Sequence, residues 1–182
     1  MKHHREFEIA FVGLKPGEHE YRFQIDDTFF DNLFQEGKIE KPEFHNSFVE
    51  IRMVLDKKSG TMLLRFFISG KATIPCDRCG DDFEITLWDE FELLVKTVDD
   101  DLVEKSNQED AEVAYIGRSE SLLDVSMWLF EFVTLCIPIQ HVHGEDEHGN
   151  SLCNAEVLKY LLNQPLEGNN SLQEQLKKNN LS

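Results

Sequence analysis

Apolar and polar residues alternate along the chain between residues 49 and 95, and this alternation limits the fold more than any other sequence feature. The apolar positions of three consecutive segments are Val49, Ile51, Met53 and Leu55; Met62, Leu64, Phe66 and Ile68; and Phe83, Ile85, Leu87, Phe91, Leu93 and Val95. Side chains alternate between two faces in a strand but not in a helix, so this period predicts long strands. Turns at 56–60 and 76–80 separate the segments, which predicts an antiparallel meander.

The sequence on either side of the meander predicts shorter elements. Phe7–Leu14 and Glu18–Ile25 have the composition of two strands and are compatible with a hairpin. Apolar residues at helical spacing predict three helices, at Thr28–Phe34, Ser121–Cys136 and Asn154–Asn163. The acidic stretch 99–112 predicts an exposed loop, and Val113–Ile116 predicts a short strand.

These elements together predict an α+β fold, with an antiparallel β-meander or barrel-like sheet and two to three short helices. A chain of 182 residues favours one domain, which we expect over residues 1–167. From residue 168 onward Asn, Gln and Lys dominate, so residues 168–182 are predicted to be a disordered tail.

The charge balance restricts the partners of the chain. Its 35 acidic and 18 basic residues give a net charge of −17, which repels nucleic acid phosphate and favours a basic partner, although solubility alone would also explain it. Ribosomal proteins and positively charged assembly factors are partners of that type. The N-terminal residues do not have the pattern of a signal peptide, and no apolar run is long enough for a membrane span. We therefore expect a cytoplasmic protein without a membrane partner.

The motif Cys76-Asp77-Arg78-Cys79-Gly80 lies at the second turn of the meander and predicts half of a structural zinc site. Thiolates separated by two intervening residues can bind one tetrahedral ion, and a thiol pair in the reducing cytoplasm indicates metal or redox chemistry before a disulfide. A redox pair is disfavoured because a strand, and not a helix, follows Cys79. Soft thiolate ligands favour Zn²⁺.

The remaining ligands can come only from the segment 136–153, since no other cysteine exists. Cys153 is the expected third ligand and His143 the expected fourth, with His141 and His148 as competitors. Cys136 lies on the apolar stripe of a predicted helix, which favours a place in the core.

Catalysis is not predicted. The carboxylate clusters at 99–101 and 145–147 lie in polar loops, where they are more often solvated than held in a cleft. No phosphate-binding glycine loop, nucleophile elbow or zinc-protease motif is present. We therefore predict a protein that is not an enzyme and has no small-molecule substrate.

Two kinds of contact surface are candidates. The basic side chains near the two hairpin turns are candidates for RNA or partner contact: Lys57, Lys58, Arg65, Lys71 and Arg78. They can equally be scattered solubilising charges, and the net charge favours that interpretation. Trp128 lies on a predicted helix that is apolar nearly all round, so the alternative to a zinc protein is a metal-free adaptor that docks a partner through the 122–136 helix. A thiol redox switch is a third hypothesis.

One ordered set of motifs resembles a known family. Pro75-Cys76-Asp77-Arg78-Cys79 with Phe83 follows two long strands, and a helix, then Ile137-Pro138-Ile139, Val142-His143 and Cys153-Asn154 come later. This set, over roughly residues 45–160, resembles the YceD family of large ribosomal RNA subunit accumulation proteins. The resemblance implies a bacterial cytoplasmic factor for accumulation or processing of large-subunit (23S) rRNA, with metal binding and nucleic-acid binding. It places Cys76, Cys79, His143 and Cys153 on the family's Cys, Cys, His and Cys positions, with a longer His143–Cys153 loop.

Overall fold

A computed structural model describes residues 5–109 and 113–163 of the chain. The described residues fall into two compact units: residues 76–81 with 142–163 form the smaller one, and the rest up to residue 141 form the larger one. The predicted single domain over 1–167 stays a prediction, and the predicted tail at 168–182 lies outside the described residues.

A five-stranded sheet forms the larger unit. Its strands are β2 (Gly17–Asp26), β3 (His45–Lys58), β4 (Thr61–Pro75), β5 (Asp82–Val98) and β6 (Val113–Gly117), in the spatial order β2-β3-β4-β5-β6. The strands β2 to β5 are antiparallel to their neighbours, and this confirms the predicted meander of three long strands. Strand β6 pairs in parallel with β5, so the sheet is mixed and not purely antiparallel as predicted.

The alternating apolar residues all face one side of the sheet, where they form the core. Ile51, Leu64 and Leu87 are at most 1% exposed. Aromatic rings from the sheet and from a helix also contact each other: Phe132 of the helix stacks on Phe91 of β5, with ring centroids 4.7 Å apart. The opposite side of the sheet carries the polar positions of the same strands. The period of two in the sequence thus determines which face is buried.

The first strand pairs differently from the sequence prediction. Strand β1 (Glu8–Ala10) pairs antiparallel with β7 (Leu122–Asp124) in a separate two-stranded sheet, so the expected hairpin of residues 7–14 with β2 does not form. The pairing places Ile9 opposite Leu123, and both are buried, 4% and 2% exposed. An apolar alternation shows that a strand has a buried face, but it does not identify the neighbouring strand.

Four short helices accompany the sheets in the described residues, where two to three were predicted. They are α1 (Asp27–Gln35), α2 (Val103–Glu109), α3 (Ser126–Leu135) and α4 (Ala155–Asn163). Helix α1 begins where the Asp26 carboxylate accepts a hydrogen bond of 2.9 Å from the Thr28 N–H, and it buries Phe29, Phe30 and Leu33. Helix α2 lies in the predicted acidic loop and was missed because few apolar residues mark it.

Helix α3 is shorter than predicted. It was expected over residues 121–136, but residues 122–124 pair with β1 instead. The Asp124 carboxylate then accepts a hydrogen bond of 2.9 Å from the Ser126 N–H, where the helix begins. The alternative of a barrel-like sheet is also corrected: β2 and β6 are the two edges, so the sheet in residues 5–109 and 113–163 is open. None of the helices described is long and apolar enough to cross a membrane.

The ammonium group of Lys57 stabilises the segment between β1 and β2. It donates hydrogen bonds to the carbonyls of Phe11, Val12 and Leu14, at 2.7, 3.2 and 3.0 Å. Three backbone acceptors in a segment without strand partners are thus satisfied by one side chain. Hydrogen bonds from a charged donor contribute more than neutral ones.

We predict that Lys57→Met lowers the free energy of unfolding by about 1–3 kcal/mol, because three backbone carbonyls lose a charged donor. Chemical denaturation measures this change. Lys58→Met is the matched control, since the exposed Lys58 pairs with Asp56 alone among the described residues, and about 0.5 kcal/mol or less is expected. Equal losses in the two variants would contradict the structural role of Lys57.

Candidate metal centre

The Cys76–Asp81 segment is a tight turn that presents two thiols. Gly80 donates its N–H to the Cys76 carbonyl at 2.8 Å, and Cys76 donates its own N–H to the Asp81 carbonyl at 3.0 Å. Gly80 has φ of 78°, a left-handed conformation that favours glycine. The glycine after the second cysteine therefore allows the turn that directs both thiols to the same side.

A small hairpin brings His143 and Cys153 together across the loop that separates them. Leu152 donates its N–H to the Gly144 carbonyl at 2.9 Å, and Glu145 and Ser151 form an antiparallel bridge. The loop was predicted only as a His-, Asp-, Glu- and Gly-rich stretch; its backbone hydrogen bonds give it a defined course. His143 and Cys153 consequently lie at the two ends of one short hairpin.

Asp146 organises the tip of this hairpin. Its Oδ1 accepts hydrogen bonds of 2.8 Å from the N–H groups of His148 and Asn150, and its Oδ2 accepts one of 2.9 Å from the Asn150 side chain. These hydrogen bonds hold the pKa of Asp146 below its ordinary value, with the Asn150 contacts as the main cause. Gly149 completes the tip with φ of 79°. Sequence reasoning did not identify this role of Asp146, although an aspartate before a glycine turn is a signal for it.

Four donor atoms converge in the smaller unit. The sulfurs of Cys76, Cys79 and Cys153 and a ring nitrogen of His143 all lie within 4.8 Å of one another. The Cys76 and Cys153 sulfurs are 3.7 Å apart, and the Cys79 sulfur is 3.4 Å from His143 Nδ1. Cys76 and Cys153 are buried, whereas Cys79 and His143 are half-buried.

These separations suit a tetrahedral zinc ion. Zinc–sulfur bonds of about 2.3 Å and zinc–nitrogen bonds of about 2.0 Å place two sulfurs about 3.8 Å apart, and a sulfur and a nitrogen about 3.5 Å apart. The observed distances of 3.7 and 3.4 Å agree with both edges. A Cys₃His donor set is also among those that zinc uses in structural sites. The residues present therefore match the requirements of the ion.

The charges of the thiols also favour a cation. Burial raises the pKa of Cys76, but hydrogen bonds from the backbone N–H groups of His143, Cys79 and Arg78 lower it more, to about 6. The pKa of Cys79 is raised: a hydrogen bond from the Asn154 backbone lowers it, but burial and the neighbouring thiols of Cys76 and Cys153 outweigh that contribution. The surroundings thus stabilise the thiolate of Cys76 but disfavour a second thiolate at Cys79. A divalent cation would offset the repulsion between the two negative charges.

Asn154 connects the two halves of the cluster. Its side-chain Nδ2 donates to the Asp81 carboxylate at 3.0 Å, and its side-chain Oδ1 accepts from the Glu156 N–H at 3.0 Å, in the first turn of α4. Because Asn154 directly follows Cys153, its hydrogen bond to Asp81 fixes that part of the chain relative to the Cys76–Asp81 turn. Residues that orient metal ligands in this way influence affinity.

The competing ligand candidates lie outside the cluster. His148 is exposed at the hairpin tip, and His141 belongs to the larger unit. The thiol of Cys136 donates to the Phe132 carbonyl at 3.2 Å at the end of α3. Burial, with a contribution from Asp89, raises the pKa of Cys136 to about 11, which disfavours the thiolate that a metal requires.

The predicted contact residues are dispersed over the larger unit and the turn. Lys57 holds the backbone carbonyls of residues 11, 12 and 14, and Trp128 is partly buried against the core. Three further cations form ion pairs with carboxylates: Lys58 with Asp56, Arg65 with Glu18, and Lys71 with Glu84. Arg78 is exposed in the turn. Their contact with RNA or a partner stays a prediction.

The fold and the cluster define a class of protein: an α+β protein with a Cys₃His cluster that could hold a metal ion. The family model described as large ribosomal RNA subunit accumulation protein YceD matches residues 64–159. That range is just over half of the 182 residues and includes all four cluster residues, so the chain belongs to the YceD family. No curated protein and no solved structure matches the chain significantly.

We predict that Asp146→Ala weakens Zn²⁺ binding about five- to tenfold, because the hairpin loses the acceptor that orders its tip and the free energy of bringing His143 to Cys153 rises. Competition with a chromophoric chelator measures the dissociation constant. Glu147→Ala is the matched control, an exposed neighbouring carboxylate, and it should leave the affinity unchanged. If Asp146→Ala also leaves it unchanged, the hairpin is not needed to position the ligands.

Proposed function

We propose that this chain is a non-enzymatic ribosome-biogenesis factor that supports the accumulation or processing of large-subunit (23S) rRNA in the cytoplasm. Its membership of the YceD family, which is described as large ribosomal RNA subunit accumulation protein, supports the pathway. The observation that carries the molecular role is the Cys₃His cluster, since its donor distances suit a closed structural site.

In this proposal Zn²⁺ has a structural role. Cys76, Cys79, His143 Nδ1 and Cys153 would supply four protein ligands, and a tetrahedral site with four protein ligands leaves no position for a substrate. The ion, when bound, would cross-link the turn at 76–81 to the hairpin at 143–153. Closing a loop of this length by a metal stabilises the folded form, because the unfolded chain cannot hold the ligands together.

The partner in this proposal is a basic ribosomal protein or an rRNA–protein assembly intermediate. The net charge of −17 opposes direct binding to naked RNA. The cations predicted for RNA contact largely pair with carboxylates of the same chain, so few are left for phosphate groups. A protein partner is therefore favoured over RNA alone.

The metal-free adaptor is less well supported. Met127, Trp128 and Phe130, on which that hypothesis depends, are partly buried and packed against the core of the larger unit. The apolar side chains that remain exposed near the end of α3 are Leu135 and Ile139. If the purified protein contains no metal, the metal-free adaptor becomes the leading hypothesis.

We predict about one zinc ion per chain when the protein is purified without a chelator or an affinity metal, because all four ligands belong to one chain. Elemental analysis measures it. Cys76→Ser with Cys79→Ser should lose the ion and lower Tm by at least about 5 °C, or roughly 1–2 kcal/mol. Cys136→Ala is the control, a thiol outside the cluster, and should keep the ion. Absence of metal after zinc is added under reducing conditions would refute the site.

The pathway is tested separately in cells that lack their own copy of the gene. We predict that the level of mature 23S rRNA falls in these cells relative to 16S rRNA, and that the wild-type chain restores it. The double cysteine variant should restore it less well than Cys136→Ala, because an unstable protein accumulates to a lower level. Unchanged 23S rRNA in the deletion would contradict the proposed function and leave the metal site unaffected.

A further inference from the structure

The side of the five-stranded sheet opposite the core is exposed in the larger unit, and we call it the outer face. Even-numbered residues of β2, β3 and β5 and odd-numbered residues of β4 point to it, as the register requires. One row across the four strands consists of Gln24, Glu50, Ser69 and Trp88, and the next consists of Arg22, Arg52, Phe67 and Glu90. The outer face thus combines aromatic rings with charges of both signs.

A groove of about 570 Å³ lies on this face, and residues of both rows line it. Trp88 is 69% exposed at its border, which is unusual for the largest apolar side chain. Its neighbour across the strand pair is Ser69, whose small side chain leaves space beside the indole ring. Glu50 follows Ser69 in the same row, and Glu90 is the next residue of β5 on the same face.

The cations of the outer face already have partners within the chain. Arg22 pairs with Glu20 at 2.7 Å and Lys71 with Glu84 at 2.8 Å. Arg52 lies over the Phe67 ring, 3.9 Å from its centroid. The same pattern holds for Arg65, which pairs with Glu18, and for Lys58, which pairs with Asp56. These contacts direct the cations toward groups of the same chain, and a phosphate ligand would have to compete with them.

Four carboxylates of the outer face have no such cation among the described residues, and one of them, Asp26, instead accepts the Thr28 N–H at the start of α1. Within the described part of the chain, Glu50, Glu90 and Glu92 form no ion pair, and two of them line the groove beside Trp88. Trp88 likewise has no cation over its ring among the described residues, in contrast to Phe67. The groove therefore offers an uncovered aromatic ring next to two carboxylates without an ion pair, with Arg22 and Arg52 on the same lining.

We propose that this groove binds an arginine- or lysine-rich segment of a partner protein. A cationic side chain lies over the Trp88 ring, where the ring quadrupole attracts it, and its neighbours pair with Glu50 and Glu90. Strand spacing places Glu50 about 10 Å and Glu90 about 7 Å from Trp88 along the sheet, distances that successive long cationic side chains span. Electrostatic complementarity of this kind gives orientation and a fast association rate.

This inference rests on the proposed function for the identity of the partner, a basic component of the ribosome, but the groove can be tested without it. The probe is a fluorescein-labelled oligo-arginine peptide, and the protein is the full chain with its metal. Fluorescence anisotropy gives the dissociation constant. Glu50→Gln with Glu90→Gln should weaken binding about fivefold or more, because two contacts with the cation are lost. Trp88→Ala should weaken it about two- to fivefold, and Trp88→Phe should restore part of the loss.

The matched control separates the groove from the general acidity of the chain. Glu43→Gln with Glu120→Gln changes two exposed carboxylates away from the outer face, and therefore changes the net charge by the same amount. A smaller loss in the control supports the groove. Equal losses in the two double variants, or no loss with Trp88→Ala, would overturn it. Thermal melts of all variants exclude unfolding as the cause.

RNA is the competing ligand, and a labelled oligouridylate tests it on the same variants. If the oligouridylate binds and Trp88→Ala weakens that binding, the ligand of the groove is a single-stranded nucleic acid, and the proposal is overturned.

The cellular assay separates the groove proposal from the proposed ribosomal function. Peptide binding that depends on Glu50, Glu90 and Trp88, together with unchanged 23S rRNA in the gene deletion, would retain the groove and reject the ribosomal function. Reduced 23S rRNA in the gene deletion, together with peptide binding that does not depend on these residues, would reject the groove alone.

Discussion

Fifteen consecutive residue pairs join β4 to β5 without a shift of register, from Thr61–Lys96 to Pro75–Asp82. This ladder determines most of what the larger unit presents. It directs every second side chain of both strands into the core, and it places Trp88 beside Ser69 on the other face. A slip of one residue would exchange the two faces, burying carboxylates and exposing Phe66 and Leu87. The core thus enforces the arrangement of the outer face.

The same ladder ends where the first pair of cysteines begins. Pro75 pairs with Asp82, and the six residues between them must reverse the chain. Gly80 supplies the required left-handed φ, and the turn hydrogen bonds follow from it. The two thiols are therefore positioned by strand pairing and one glycine. His143 and Cys153 depend on a second, independent local structure, the hairpin ordered by Asp146. A four-ligand cluster needs both structures to form.

These local causes explain how far the sequence could predict the protein. The period of two predicted β3, β4 and β5 well, because burial of one face imposes it over many residues. The pairing of Ile9 with Leu123 could not be predicted, since a short apolar strand is compatible with several neighbours. Helix α2 was not predicted because its mostly polar residues form no apolar stripe. For the cluster, spacing predicted Cys76 and Cys79, and the family resemblance predicted His143 and Cys153. The hairpin supplies the physical reason why His143, and not His141 or His148, lies beside the cysteines.

Net charge alone gives an incomplete description of the surface. The value of −17 describes the whole chain, whereas the four antiparallel strands place nine carboxylates and six cations on the outer face. What distinguishes its parts is local pairing: an ion pair leaves little field beyond it, and the two groove carboxylates without such a pair, Glu50 and Glu90, lie near Trp88. An exposed indole beside them adds an attraction specific to cations, which a neutral or anionic ligand does not gain. The arrangement of pairs, and not the sum of charges, therefore determines which ligand the outer face attracts.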